Sequence, residues 1–230
     1  MVDHVLAGNP PVELCLRRSP RARRISLRVS GLDGRVTLTL PRGVSEAEAL
    51  EFARSKEAWL RNHLDARPAS VKVGLGADIP IAGQLVRIAP ASGRRVVFED
   101  GQIMVPGPAD AVAARLSGWL KARARDRLVA ASDHYAGLLG RGYARVTLRD
   151  TRSRWGSCSS KGALSYSWRL ILAPPEVLDY VAAHEVAHLA EMNHSPAFWK
   201  LVESLAPDYD RPRSWLRRDG AALHLYHFGD

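Results

Sequence analysis

The sequence predicts an α+β protein in two parts, a β-rich N-terminal domain over residues 1–107 carrying one helix, and a mixed helix-and-sheet domain over 108–230. Three observations predict it. Short runs in the first third alternate apolar and polar residues. A long proline-free stretch from Asp110 to Leu139 repeats at helical spacing. Between the two lies Gly107-Pro108, a pair that breaks both periods. With 230 residues, 46% of them hydrophobic and 25% charged, the chain can bury two cores without disulfide staples.

In chain order, strands are expected at 12–17, 24–29 and 35–40, on the alternation of Ile25, Leu27, Val29 and of Val36, Leu38, Leu40, with Gly31 and Gly34 bracketing the turn between the last two. Ser45 followed by Glu48 is a capping box; it opens a helix carrying Ala49, Phe52, Ala53, Leu60 and Leu64, closed by Pro68. Short strands return between 77 and 106, punctuated by Gly83, Gly93 and Gly101, and 96–99 with 102–105 reads as a hairpin. Asp110 is placed to cap the long helix to Leu139. Strands at 145–148 and 163–172 follow, and helices dominate to the end.

The net charge of +9, from 33 Lys and Arg against 24 Asp and Glu, attracts polyanions. Arg17, Arg18, Arg21, Arg23, Arg24 and Arg28 crowd one stretch, which is either a nucleotide or nucleic-acid patch or a solvated face. No apolar run is long enough to span a membrane, and Asp3 and His4 stand where a signal peptide would be basic. Cys15 and Cys158 read as reduced thiols. A cytoplasmic protein without a membrane partner is the expectation.

The chemistry is concentrated after Pro174-Pro175, where a mostly apolar helix carries His184, Glu185 and His188, an H-E-x-x-H pattern. Histidines four apart sit about 40° apart around a helix, so both reach one ion from one face, and Zn2+ is the natural guest of neutral imidazoles. Glu185, beside the first ligand, is positioned as the base that takes a proton from the attacking water. A catalytic site needs a third ligand, and His194 and Glu203 are the candidates. A straight helix would carry residue 194 about 9 Å past His188. Asn193, as a left-handed terminator, and Ser195-Pro196, as a cap and first-turn proline, write a stop and restart that favours His194.

Arg152, Arg154 and Trp155, in the run RSRWGSC, are candidate substrate-binding residues, the guanidiniums offering planar forks to a carboxylate or an oxyanion. The alternative is a structural turn in which Trp155 packs and Gly156 bends. Tyr209, His224, Tyr226 and His227 are candidate transition-state donors, while Phe198, Trp199, Leu201 and Val202 read as core and Cys158 as a packed thiol.

The segments RSRWGSCSSKG, SWRLILAPPEVLDYVAAHEVAHL and EMNHSPAFW resemble the YgjP-like metallopeptidase family, related to the SprT and WLM zinc peptidases. The resemblance implies a zincin-like catalytic domain, His184, His188 and His194 as metal ligands, Glu185 as the catalytic residue, and a peptide or protein substrate. The ten-residue interval from His184 to His194 equals that of metzincins, but Glu191 replaces their glycine, so the turn must differ. Held by strand addition on an edge strand at 163–172, a peptide would lie across the site. Two other readings stand beside this one: a metal-dependent nucleoside triphosphate pyrophosphatase using the arginines, and a nucleic-acid-associated protein with a structural zinc site.

Overall fold

A computed structural model describes residues 4–31, 34–66 and 69–229. The chain divides into two compact units, 1–69 and 70–230. Gly107-Pro108 therefore falls inside the second unit. The strands before it bury Ile79, Val86, Ile88, Ile103 and Val105 in the same cluster as Val112, Leu116 and Leu120 of the long helix, so a shared core overrides the local break.

In the first unit β1 (His4–Leu6), β2 (Val12–Arg18), β3 (Ser26–Val29) and β4 (Val36–Leu40) form a sheet in the order β1-β2-β4-β3. Val36, Leu38 and Leu40 of β4 are buried, as the period of two requires, and meet Ala49, Ala53 and Leu60. The single expected helix is two, α1 (Glu46–Ser55) and α2 (Glu57–Asp65), because Lys56 between them sits at φ −107°, ψ 11°, outside the helical well. Ser45 caps α1, its Oγ accepting from the Glu48 N–H at 3.2 Å. Pro68 and the centre of the turn between Gly31 and Gly34 lie outside the described residues. All six clustered arginines are exposed, Arg18 pairing with Glu46 at 3.5 Å, which is how a solvated face looks.

The second unit begins with β5 (Val71–Lys72), then β6 (Asp78–Ile81), β7 (Gln84–Ala91), β8 (Val97–Glu99) and β9 (Gln102–Pro106), the last four in the order β6-β7-β9-β8. The expected hairpin forms between β8 and β9. Asp100 at φ 49° and Gly101 at φ 73° supply the left-handed pair that a two-residue turn needs. α3 (Val112–Leu139) follows a 3-10 turn at Ala109–Ala111; Asp110 lies within that turn and makes no cap, since the tightened turn already pairs the Ala111 N–H with the Pro108 carbonyl at 3.0 Å.

Next come β10 (Arg145–Arg149), β11 (Gly156–Cys158) and β12 (Ala163–Ser167), ordered β10-β12-β11. The strand expected over 163–172 stops at Ser167, and Trp168–Leu172 is a buried 3-10 turn. β12 is thus the central strand, already paired on both sides; the edges are β10 and β11, the latter inside the RSRWGSC run. α4 (Pro175–Ala187), α5 (Pro196–Leu205), α6 (Asp210–Arg218), a 3-10 turn at Gly220–His224 and β13 (Tyr226–His227), which pairs in parallel with β5, complete the unit.

Buried positions 112, 116, 120, 124, 128, 132 and 136 of α3 recur every fourth residue. Each such step advances the stripe about 40°, so it winds around the helix and lets α3 pack on β9, the 168–172 turn, α4, α5 and β10 in one core. Arg169, 5% exposed, is held by Asp150 in a two-pronged ion pair of 2.7 and 3.0 Å and donates to the carbonyls of Leu223 and Tyr226 at 3.0 and 2.9 Å. No helix among the described residues is long and apolar enough to cross a membrane.

Candidate metal centre and cleft

α4 starts with Pro175 in its first turn and is walled in by protein: Val177, Leu178, Val181, Ala182, Ala183, Val186 and Ala187 are all buried. Within this apolar setting Glu185 is 6% and His188 8% exposed. The helix ends at Ala187, with His188 as a right-handed cap, well before Asn193. Asn193 is not left-handed, since Ala82 and Asp100 are the only described non-glycine residues at positive φ. The last turn tightens instead, the Leu189 and Ala190 N–H groups bonding three residues back to the Val186 and Ala187 carbonyls at 2.9 and 3.0 Å, and the Glu191 carbonyl lies 2.9 Å from His188 Nδ1. The restart is as the sequence writes it, with Ser195 Oγ accepting from the Phe198 N–H at 3.3 Å and Pro196 in the first turn of α5.

This detour brings His194 back beside α4. The ring centroids of His184, His188 and His194 form a near-equilateral triangle of 5.0, 5.1 and 4.8 Å. Fully buried Phe198 sits 4.9, 4.4 and 4.8 Å from the three rings, a common floor. Among the described residues these three histidines are the group able to share a metal ion, one donor atom from each lying within 4.8 Å of the others. Glu203, the other candidate ligand, is exposed on α5 and outside that group.

The donor set fits an ion that takes imidazole nitrogen. His188 Nδ1 faces a carbonyl and so must carry the proton, leaving Nε2 as the ligand atom. His184 Nε2 and His194 Nε2 stand 3.1 Å apart, close to the roughly 3.3 Å that separates donors on a tetrahedral ion with bonds of about 2.0–2.1 Å. Burial, then the charges of His188, His194 and Arg213, push His184 down to about 3, and burial also lowers His188, so both present the neutral form that ligates.

Glu185 lines a cleft of about 230 Å³ with Arg154, Trp155, Gly156, Tyr180, Val181, His184 and Leu216. Burial pushes its carboxyl up to about 8, against the pull of Arg154. Gly156 explains itself here. A Cβ on it would come within 2.5 Å of Glu185 Oε1 and 2.6 Å of Cγ, so only glycine lets the carboxylate lie against the backbone of β11.

The model of the family described as YgjP-like, metallopeptidase domain, matches residues 23–219. The chain belongs to the YgjP-like metallopeptidase family. The match takes in the triangle of histidines and every residue of the cleft. No curated protein and no solved structure matches the chain.

Of the other residues singled out in this YgjP-like chain, Arg154 and Trp155 reach the cleft and Arg152, exposed, does not line it. Trp155 also packs, its ring 5.2 Å from that of His224 and close against Gly220. Cys158 is half-buried, its thiol raised by burial and by Glu185. Tyr209, His224, Tyr226 and His227 do not line the cleft; the tyrosine that does is Tyr180. Tyr180 is four residues before His184, on the same helix face, and that spacing was its signal. A ladder of rings joins it to the metal centre, His194 stacking on Trp199 at 5.7 Å, Trp199 on Tyr209 at 5.7 Å and Tyr209 on Tyr180 at 6.4 Å.

Proposed function

We propose that this YgjP-like chain is a zinc-dependent peptidase in which Glu185 drives the attack of water on a peptide bond. One observation carries the reading: three imidazoles converge beside a buried, solvent-shielded glutamate that opens onto a cleft. His184, His188 and His194 hold the zinc, which when bound supplies Lewis acidity and lowers the pKa of water to near 7. Glu185 takes the proton from the attacking water and delivers it to the leaving amine, a task for a carboxyl whose affinity for protons burial raises. Arg154 and Tyr180, on the same cleft, donate to the oxygen on which charge develops. The extended substrate pairs with β11, the edge strand whose Gly156 lines the cleft, in the place expected of 163–172.

The test joins metal content to turnover. Elemental analysis of the wild type is expected to give zinc in proportion to chain and His194→Ala much less. An unstructured protein is expected to be cleaved by the wild type and left intact by Glu185→Gln. A zinc-loaded wild type that cleaves no polypeptide would overturn the reading.

A second reading, release of pyrophosphate from a nucleoside triphosphate, is favoured by a different feature. A cavity of about 710 Å³ that reaches His188 is lined by Arg141, Lys161, Ser159 and Ser160, a set suited to phosphate. Pyrophosphate release that Glu185→Gln abolishes would select it.

A further inference from the structure

The metal centre touches two spaces. His184 lines the Glu185 cleft, and His188 lines the cavity of about 710 Å³. β11 joins them: Gly156, its first residue, lines the cleft, and Ser159 and Ser160, directly after its last, line the cavity. At about 3.3 Å per residue the two lie about 10 Å apart along extended chain. A polypeptide paired with β11, with one peptide bond held beside Glu185, therefore carries a group about three residues away into the cavity.

The two spaces differ in charge. The cleft sets Glu185 against Arg154. No carboxylate lines the cavity, whereas Arg141 and Lys161 do. Among the described residues neither of these cations has an ion-pair partner. Asp133 accepts from the Tyr143 hydroxyl at 2.6 Å without itself lining the space.

Two exposed cations do not make a site; their anchorage beside a metal ligand does. Arg141 Nη1 donates to the Leu189 carbonyl at 3.0 Å, one residue past His188, which ties the guanidinium to the end of α4. Lys161 rides on the closed turn between β11 and β12. There the Gly162 N–H bonds to the Ser159 carbonyl at 2.9 Å, Ser159 Oγ accepts from the Ala163 N–H at 3.1 Å, and Gly162 sits at φ 70°. The Ala144 N–H bonds to the Gly162 carbonyl at 2.8 Å and holds the segment after Arg141 against that turn. The backbone that carries both cations is thus fixed in relation to His188, which lowers the ordering cost of binding an anion. The edge strand leading from this cavity to Glu185 favours a polypeptide as the occupant, and a triphosphate carries more charge than two cations offset.

We infer that this cavity is the subsite that takes a carboxylate of the polypeptide substrate, from an acidic side chain or from the chain's C-terminus, about three residues from the bond held at Glu185. The inference rests on the peptidase reading.

Binding is tested apart from cleavage. Zinc-loaded Glu185→Gln holds substrate without turning it over, and calorimetry gives its affinity for matched peptides with a single Glu or Gln moved one position at a time. At one register the Glu peptide is expected to bind about tenfold more tightly than the Gln peptide, the scale of one charge-assisted contact. A neutral peptide with a free or an amidated C-terminus forms the second arm, and the arm that shows the difference tells side chain from chain end. Lys161→Gln, on an exposed turn outside the catalytic machinery, is expected to bring the ratio toward one with zinc content unchanged, and Arg141→Gln to bring it down likewise. A ratio near one in both arms, no binding of any peptide, or a ratio that neither variant alters would overturn the subsite even where the wild type cleaves polypeptide. Adenosine triphosphate held through Lys161 more tightly than any peptide would give the cavity to a nucleotide and overturn it too. Carboxylate-selective binding with no cleavage by the zinc-loaded wild type would leave the subsite standing and sink the peptidase reading.

Discussion

Two places in the second unit bury charged or ionisable side chains, and they are built in opposite ways. At Arg169 the charge itself is matched: both oxygens of Asp150 meet the guanidinium and two carbonyls accept from it, although the neighbouring Trp168 Nε1 and His224 Nδ1 are buried without partners. Around Glu185 the charge itself is not matched, although His188 Nδ1 has the Glu191 carbonyl as a partner. The carboxyl is buried without a hydrogen bond from any described residue, His184 Nδ1 is buried without a partner, and two ring nitrogens face each other at 3.1 Å. Leaving buried polar groups without partners costs free energy that packing elsewhere must offset. A paired buried charge holds a fold together, and a buried carboxyl without a charge partner beside a cluster of ligand-type side chains marks a candidate reactive group.

Replacing Glu185 breaks the comparison from the reactive side. Glu185→Gln is expected to lower kcat/KM on a polypeptide by roughly 10³-fold, the scale of a lost general base, while the midpoint of urea unfolding stays level or rises, because a buried carboxyl without partners has been removed. A large drop in stability would show that Glu185 is matched after all.

On the matched side the expected effect is on stability. Arg169→Met strands Asp150 and two carbonyls; loss of one member of a buried pair costs about 3–5 kcal/mol, and the lower end applies because the Asp150 side chain is 35% exposed to water. Urea unfolding measures it. The zinc content of the folded variant is expected to be unchanged, since Arg169 touches no histidine of the triangle.

The two regions were not equally legible in the sequence. H-E-x-x-H could be read because a four-residue interval on a helix fixes which side chains share a face, and His194 because Ser195-Pro196 announces a restart. The manner of the stop could not: the last turn tightens to bonds three residues back at Leu189 and Ala190, with no glycine or asparagine signal. β11 is not legible because three residues, Gly-Ser-Cys, are too few to show a period, and 163–172 reads as one strand because a buried 3-10 turn is as apolar as a strand. Arg169 inside that apolar run was the available sign of a buried charge, but its partners come from residues 150, 223 and 226, which local spacing cannot bring together. The shared core across Gly107-Pro108 and the stack from His194 to Tyr180 are tertiary in the same sense.

A smaller intervention sharpens the comparison by adding one carbon. Gly156→Ala places a methyl where Glu185 Oε1 and Cγ now lie, and the neighbour that must give way is the carboxylate itself. A displacement of about 1 Å at a reacting group costs on the order of 10² in rate. The expected result is a kcat lowered about that far, with zinc content equal to the wild type, since the histidines do not touch Gly156. Zinc loss in step with activity would mean that β11 supports the metal centre rather than the glutamate.

The smallest expected effect concerns acid. Burial raises the Asp150 carboxyl, but the hydrogen bonds and charge of Arg169, aided by His224, outweigh it and hold the group below its ordinary value. The unfolded chain therefore binds this proton at a higher pH than the folded one, near the ordinary value of about 3.9. The contribution of the pair is complete above that pH and is lost as pH falls through the lower, folded value. Thermal melts between about pH 6 and 3 should show the wild type losing stability faster than Asp150→Asn, which has no proton to take up there. Parallel curves would mean that Arg169 is held by its two carbonyls more than by its carboxylate, and the matched region would then owe its stability to hydrogen bonding rather than to charge.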